Sequence, residues 1–97
     1  MTQSPYKTTP VFDEQTLPQA IRSRHSTKAG TWGLLRVLEG EVDLVFIDPP
    51  SRVRVLPDKP APIAPEAPHY VELHGPMKMQ VEFYRERPME SRIDQGG

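Results

Sequence analysis

Three histidines, His25, His69 and His74, are the side chains in this 97-residue sequence best suited to chemistry near neutral pH. On an extended chain His25 shares parity with Ile21 and Ser23, and His69 with Val71 and Leu73. Both would therefore point to an apolar interior, whereas His74 has the opposite parity and reads as a solvated turn residue. A buried imidazole is costly unless both ring nitrogens find partners. Two inward histidines could share a divalent metal as neutral ligands. Alternatively, each ring could hydrogen-bond a backbone carbonyl or a carboxylate. Spacing alone favours the second reading, because two histidines so far apart in sequence are not a motif.

A carboxylate would help complete a metal site. Glu66 precedes His69 by one short loop, and Glu82 lies in the last apolar run. If the runs around His69 and Glu82 form neighbouring strands, register decides. Matching Val71 to Met79 sets His69 beside Val81, with Glu82 facing away. A two-residue Gly75-Pro76 turn would instead set His69 opposite Glu82. Arg22, Arg24 and Lys28 surround His25 and could attract an anionic ligand, although a solvated edge is the commoner reading of such a cluster. Trp32, between Gly30 and Gly33, could wall a pocket or plug one end of a barrel. No nucleophile constellation, phosphate-cradling glycine loop or S-adenosylmethionine (SAM)-type glycine motif is present, so catalytic residues stay unassigned.

The elements that must position these residues read as strands. LLRVLEGEVDLVFI suggests a hairpin turning at Glu39-Gly40, with Val37 facing Val42 and Arg36 facing Asp43. Val11-Phe12 could open an edge strand, and Asp13 to Pro18 a turn. Ile21 to His25 alternates as a short strand. Asp48-Pro49-Pro50 ends the hairpin, Arg52 to Leu56 alternates with Val53 and Val55 inward, and a short strand fits at Ile63. His69 to His74 and Met77 to Tyr84 alternate around Gly75-Pro76. Seven or eight short strands separated by turns fit a sandwich or jelly-roll barrel.

Composition bounds the answer. The length allows one domain. Residues 1–10 read as a flexible leader, 11–86 as the β domain and 87–97 as a polar tail. Twelve prolines lower the apolar share to 36%, and those from Pro49 to Pro76 stiffen loops between apolar runs. A net charge of −1 with interspersed signs argues against nucleic acid. The absence of cysteine excludes disulfides and thiolate metal sites. No signal peptide or membrane-length apolar run is seen, so no membrane association and a cytoplasmic location are expected.

Taken together, RHSTKAGTWG, VLEG, the PHYV of PEAPHYV and VEFYR resemble the small cupin-like domain of the tellurite-resistance TehB/YeaR family, over about Leu17 to Arg85. The resemblance implies an all-β, cupin-like double-stranded β-helix, a single-domain jelly-roll barrel. In some relatives this domain is fused ahead of a SAM-dependent methyltransferase domain. The chain stops at Gly97, so the expectation is that the methyltransferase, and with it any SAM site, is absent here. PEAPHYV resembles the second cupin metal motif, matched by His69, and His25 is the histidine available in the first-motif region, which lacks the usual pair. The implied site is His25, His69 and Glu82 around one divalent ion, with zinc, iron, nickel and manganese not distinguished. Arg24, Lys28 and Trp32 would bind a small anionic ligand.

These readings lead to an expected stress-response module that binds a metal or small anion. The alternatives are a small metal-dependent oxygenase or isomerase using His25 and His69, and a metal-free homodimeric interaction module pairing through edge strands.

Overall fold

The computed structural model describes residues 3–88. The end of the expected polar tail, 89–97, and residues 1–2 lie outside the described residues. Eight strands and one helical turn follow in chain order: β1 (Lys7–Thr8), β2 (Phe12–Asp13), α1 (Gln19–Arg22), β3 (Trp32–Glu39), β4 (Val42–Ile47), β5 (Pro50–Val55), β6 (Ala61–Ile63), β7 (His69–Leu73) and β8 (Lys78–Tyr84). They form two open antiparallel sheets. The first runs β1-β8-β3-β6, with β2 also on β8, and the second runs β5-β4-β7. The chain is a small, mostly β domain, but its described strands do not close into the expected barrel.

Alternation along each strand builds the layer between the sheets. Leu35 sits opposite Val81 and Val37 opposite Met79 on the first sheet. Val42 lies between Val55 and Leu73, and Leu44 between Val53 and Val71, on the second. Leu35, Val42, Leu44, Val55 and Met79 are fully buried. Val53 and Val55 were both expected inside; Val55 is fully buried, whereas Val53 is among the exposed large apolar residues.

The expected hairpin across Glu39-Gly40 does not form. β3 pairs with β8 and β6, whereas β4 pairs with β5 and β7. The turn is instead a corner that carries the chain from one sheet to the other. Both apolar runs are buried, and each needs a ladder partner on both sides, which a two-stranded pairing leaves unmet. Gly40 has φ +75°, and a Cβ there would lie 2.5 Å from the Pro76 carbonyl oxygen. Glycine is thus required both for the left-handed backbone and for the close approach of the second corner, Gly75-Pro76. That second corner likewise separates β7 from β8, so neither register considered for His69 and Glu82 occurs.

One further segment differs from its sequence reading. Ile21 belongs to the helical turn α1, not to a strand, and only His25 of that run makes a bridge. Pro18 opens the turn, and the Ser23 hydroxyl donates to the Gln19 carbonyl at 2.7 Å. At the chain start, the Tyr6 amide donates to the Phe83 carbonyl at 2.9 Å, and β1 pairs with β8.

Gly40→Ala is expected to lower the urea midpoint by an amount equivalent to at least about 2 kcal/mol, from φ strain plus the contact with Pro76. An unchanged midpoint would mean that the corner can open without cost.

Candidate functional site

Between the sheets, beside α1, lies a cavity of about 410 Å³. Its walls are apolar, from Ile21, Leu35, Ile63, Val71, Val81 and Phe83, and two histidines, His25 and His69, complete them. Lys7, Thr9, Lys28 and Thr31 also line it. The segment carrying His25 is held by a reciprocal backbone pair. The His25 amide donates to the His69 carbonyl at 2.9 Å, and the His69 amide donates to the His25 carbonyl at 2.8 Å. This bridge sits on the free edge of β7 and brings the two rings to a centroid separation of 4.1 Å at 59°.

Each ring is oriented by its own backbone. His69 Nδ1 donates to the Ala67 carbonyl at 2.7 Å, and His25 Nδ1 donates to the Ser23 carbonyl at 2.9 Å. A carbonyl can only accept, so in the neutral ring the proton resides on Nδ1 and Nε2 carries a bare lone pair. His69 is 2% exposed. Burial pushes its pKa below the ordinary imidazole value; the hydrogen bond to the Ala67 carbonyl offsets this in part, and neighbouring His25 adds a smaller lowering. The parity argument therefore places His69 correctly. His25 also reaches the cavity, through an isolated bridge and not through the strand assigned to it.

Glu82 does not join them. It faces the opposite side of β8, where Arg36 Nε lies 2.9 Å from its Oε1 and the Tyr84 hydroxyl donates to the same oxygen at 2.7 Å. Burial and that hydrogen bond raise the Tyr84 pKa. Glu66 is exposed, in a turn with φ +61°, and its amide donates to the Thr27 carbonyl at 3.1 Å. The cavity lining contains no carboxylate among the described residues, so the expected site of His25, His69 and Glu82 is not assembled. Of the expected ligand-binding residues, Lys28 lines the cavity. Arg24 is exposed outside it, and Trp32 pairs with Tyr84 at the start of β3, with the Arg87 guanidinium 5.8 Å from its ring centroid.

A second polar cluster, missed in the sequence, occupies the outer face of the β5-β4-β7 sheet. Asp43 is 2% exposed and accepts from Arg52 at 2.7 Å and Arg54 at 2.5 Å. His74 Nε2 lies 3.0 Å from the same carboxylate, so this histidine is not a free turn residue. Burial alone would raise the Asp43 pKa, but the hydrogen bonds from Arg54, Arg52 and His74 outweigh it and hold the carboxyl well below its usual range. Arg52 also binds Glu72, and Arg54 also binds Glu41. Asp43, Glu72 and His74 approach one another closely enough to suggest a cation site. The two guanidiniums already supply the positive charge there, which makes the cluster an ion-pair network.

The TehB-like domain model matches residues 7–81. The chain belongs to the TehB-like family. Two strains of Haemophilus influenzae, 10810 and Rd, carry curated relatives, each named as a probable SAM-dependent methyltransferase TehB. Each is 49% identical over 37 residues, spanning 38% of this chain and 13% of the relative. The crystal structure of H. influenzae TehB superposes with a TM-score of 0.72 and 31% identity over 81% of this chain and 30% of that one. A crystal structure of a protein from E. coli strain K12 superposes with a TM-score of 0.74 and 24% identity, over 86% of this chain and 95% of that one, and shows the shared fold. The chain thus spans a minor part of the methyltransferases it matches.

Those names correct the expected function. A metal- or anion-binding module, a metal-dependent oxygenase or isomerase and a bare interaction module were all framed apart from methyl transfer, whereas the TehB-like relatives are named as methyltransferases. The cofactor named with them is SAM, not a divalent metal. No helix of the described residues is long and apolar enough to cross a membrane.

Nitrogen-15 NMR at neutral pH is expected to show both His25 and His69 as Nδ1–H tautomers. A Nε2–H tautomer at either ring would contradict the geometry. Asp43 gives a second test. Its folded pKa is depressed, so its contribution to stability is complete above the unfolded value of about 3.9 and is lost as pH falls through the folded value. Stability of the wild type should therefore fall more steeply below about pH 4 than that of Asp43→Asn, measured by urea unfolding across that range.

Proposed function

We propose that this chain serves SAM-dependent methyl transfer as the β domain of a TehB-type system, and that its cavity holds the small molecule that receives the methyl group. The observation that carries the reading is the match to TehB over 81% of this chain, in a fold with a two-histidine cavity between its sheets.

The cavity itself does not fit SAM. That cofactor carries a positive sulfonium and a ribose diol of the kind that nucleotide sites hold with a carboxylate. The described lining offers no carboxylate, and its charged groups are Lys7 and Lys28, which repel a cation. In this reading SAM is held by the part of a TehB-type methyltransferase that this chain does not match, and this chain supplies acceptor binding. The apolar walls exclude water from the acceptor, and the two imidazoles orient it.

We also read the two sheets as halves of a cupin-like double-stranded β-helix. The corners at Gly40 and Gly75-Pro76, each sending the chain from one sheet to the other, support that description.

The test is a chimera of full-length H. influenzae TehB in which the matched segment is replaced by this chain, assayed by transfer of labelled methyl from SAM to small-molecule acceptors. Transfer is expected in the chimera, with a loss of about tenfold or more for His69→Leu, the scale of one lost polar contact in an apolar site. Undiminished transfer after the cavity is filled by Val81→Trp, in a chimera that stays folded, would overturn the proposal.

A further inference from the structure

We infer that the mouth of the cavity is a docking surface for the SAM-holding domain of a methyltransferase, and that this domain meets it with an acidic face. The inference rests on the reading of the cavity as an acceptor site, and names the partner which that reading requires.

Arg36, Arg52, Arg54 and Lys78 each hold a carboxylate. Lys7, Arg22, Arg24, Lys28 and Arg85 hold none among the described residues. These cations gather at one opening. Lys7 and Lys28 line the cavity from separate segments and are both exposed, so the cavity reaches the surface where they lie. Arg22 follows the wall residue Ile21, Arg24 precedes the wall residue His25, and both are exposed. The Arg85 guanidinium sits 4.3 Å over the ring of Tyr6, which also lines the cavity. Glu66, whose amide bonds the Thr27 carbonyl, and Glu86, next to Arg85, are exposed acids without an ion pair. They leave the rim net positive.

Exposed cations spread over separate segments set up a broad positive field, which suits a large surface of opposite sign. The partner follows from the proposed reaction. A lone pair of the acceptor bonds the methyl carbon as the carbon–sulfur bond breaks and its electrons pass to sulfur. The two molecules must therefore touch, and the SAM sulfonium must come to the mouth of the cavity. Left bare, the rim cations repel that sulfonium. A partner face rich in Asp and Glu neutralises the rim as it closes over it, and gives the sulfonium negative surroundings.

The experiment uses the chimera of full-length H. influenzae TehB that carries this chain. A carbodiimide joins lysine amines directly to carboxylates in salt-bridge contact, and the joined peptides are identified by mass spectrometry. Lys7 and Lys28 are expected to join to Asp or Glu of the methyltransferase part, whereas Lys59 and Lys78, which do not line the cavity, are not. Raising the ionic strength from about 0.05 M to about 0.5 M should cut the yield at least about threefold, because salt screens exposed charges. Lys7→Glu together with Lys28→Glu should lower methyl transfer at least about tenfold, and exchanging the joined carboxylate for a lysine should restore it. The wild-type joins carry the test should the doubly reversed chimera fail to fold.

A chimera that transfers methyl without joins at Lys7 and Lys28, or whose transfer survives both charge reversals, would overturn the inference and leave the acceptor reading standing. Joins at Lys7 and Lys28 in a chimera that transfers no methyl would support the docking face and defeat the acceptor role. Neither joins nor transfer would overturn both. Binding of this chain alone to single-stranded RNA at about 0.15 M salt, in place of those joins, would assign the rim to phosphates and overturn the inference as well.

Discussion

The cavity depends on one pair of backbone hydrogen bonds, those exchanged between His25 and His69. β7 uses one edge to pair with β4, and its other edge is capped at a single residue by His25. That bridge holds the segment after α1 across the gap between two open sheets. It sets Ile21 as a wall and brings one imidazole beside the other. Without it, the sheet edge would present unpaired polar groups beside the cavity. The loop that follows is tied in the same way. The Thr27 hydroxyl donates to the Thr31 carbonyl at 2.9 Å, and the Thr27 carbonyl accepts from the Glu66 amide, so the approaches to both histidines brace each other.

Buried polar groups in this domain are handled differently on the two faces of the β5-β4-β7 sheet. Outside, Asp43 is saturated by Arg52, Arg54 and His74, and its charge is spent on structure. Inside, each histidine has its Nδ1 bonded to its own backbone, and both rings line the cavity. The outer face is therefore a closed network, whereas the inner one lines a cavity. The same separation explains why Glu82 is no partner for His69. Its strand parity sends it to the far side of β8, where Arg36 and Tyr84 occupy it.

Much of this was legible in the alternation of the sequence. The strands around Leu35, Leu44, Ile63, Val71 and Val81, the inward placement of His69 and the turn at Gly40 follow from period-two patterning and glycine conformation. The family was legible from RHSTKAGTWG, VLEG and VEFYR taken together, and the domain match over residues 7–81 agrees. What local pattern could not supply was pairing. A two-residue turn with apolar flanks serves equally as a hairpin or as a corner between sheets, and the choice depends on distant strands. The same gap hid the Asp43 network, because Arg52, Arg54 and His74 converge on it only after β5 and β7 flank β4. A buried aspartate in an apolar run, with two arginines alternating in the next strand, was the available signal. The helical turn at Ile21 was missed because Ser23 bonds back to Gln19, a local preference that alternation does not register.

Native-state hydrogen exchange at the His25 and His69 amides tests this account most directly. Both donate in the same reciprocal pair, so both should be protected and should open together, with a free energy matching that of the β4–β7 ladder. A His25 amide exchanging at the rate of an unstructured peptide, while the amides of β7 stay protected, would show that the bridge does not hold and that the cavity has no closed wall.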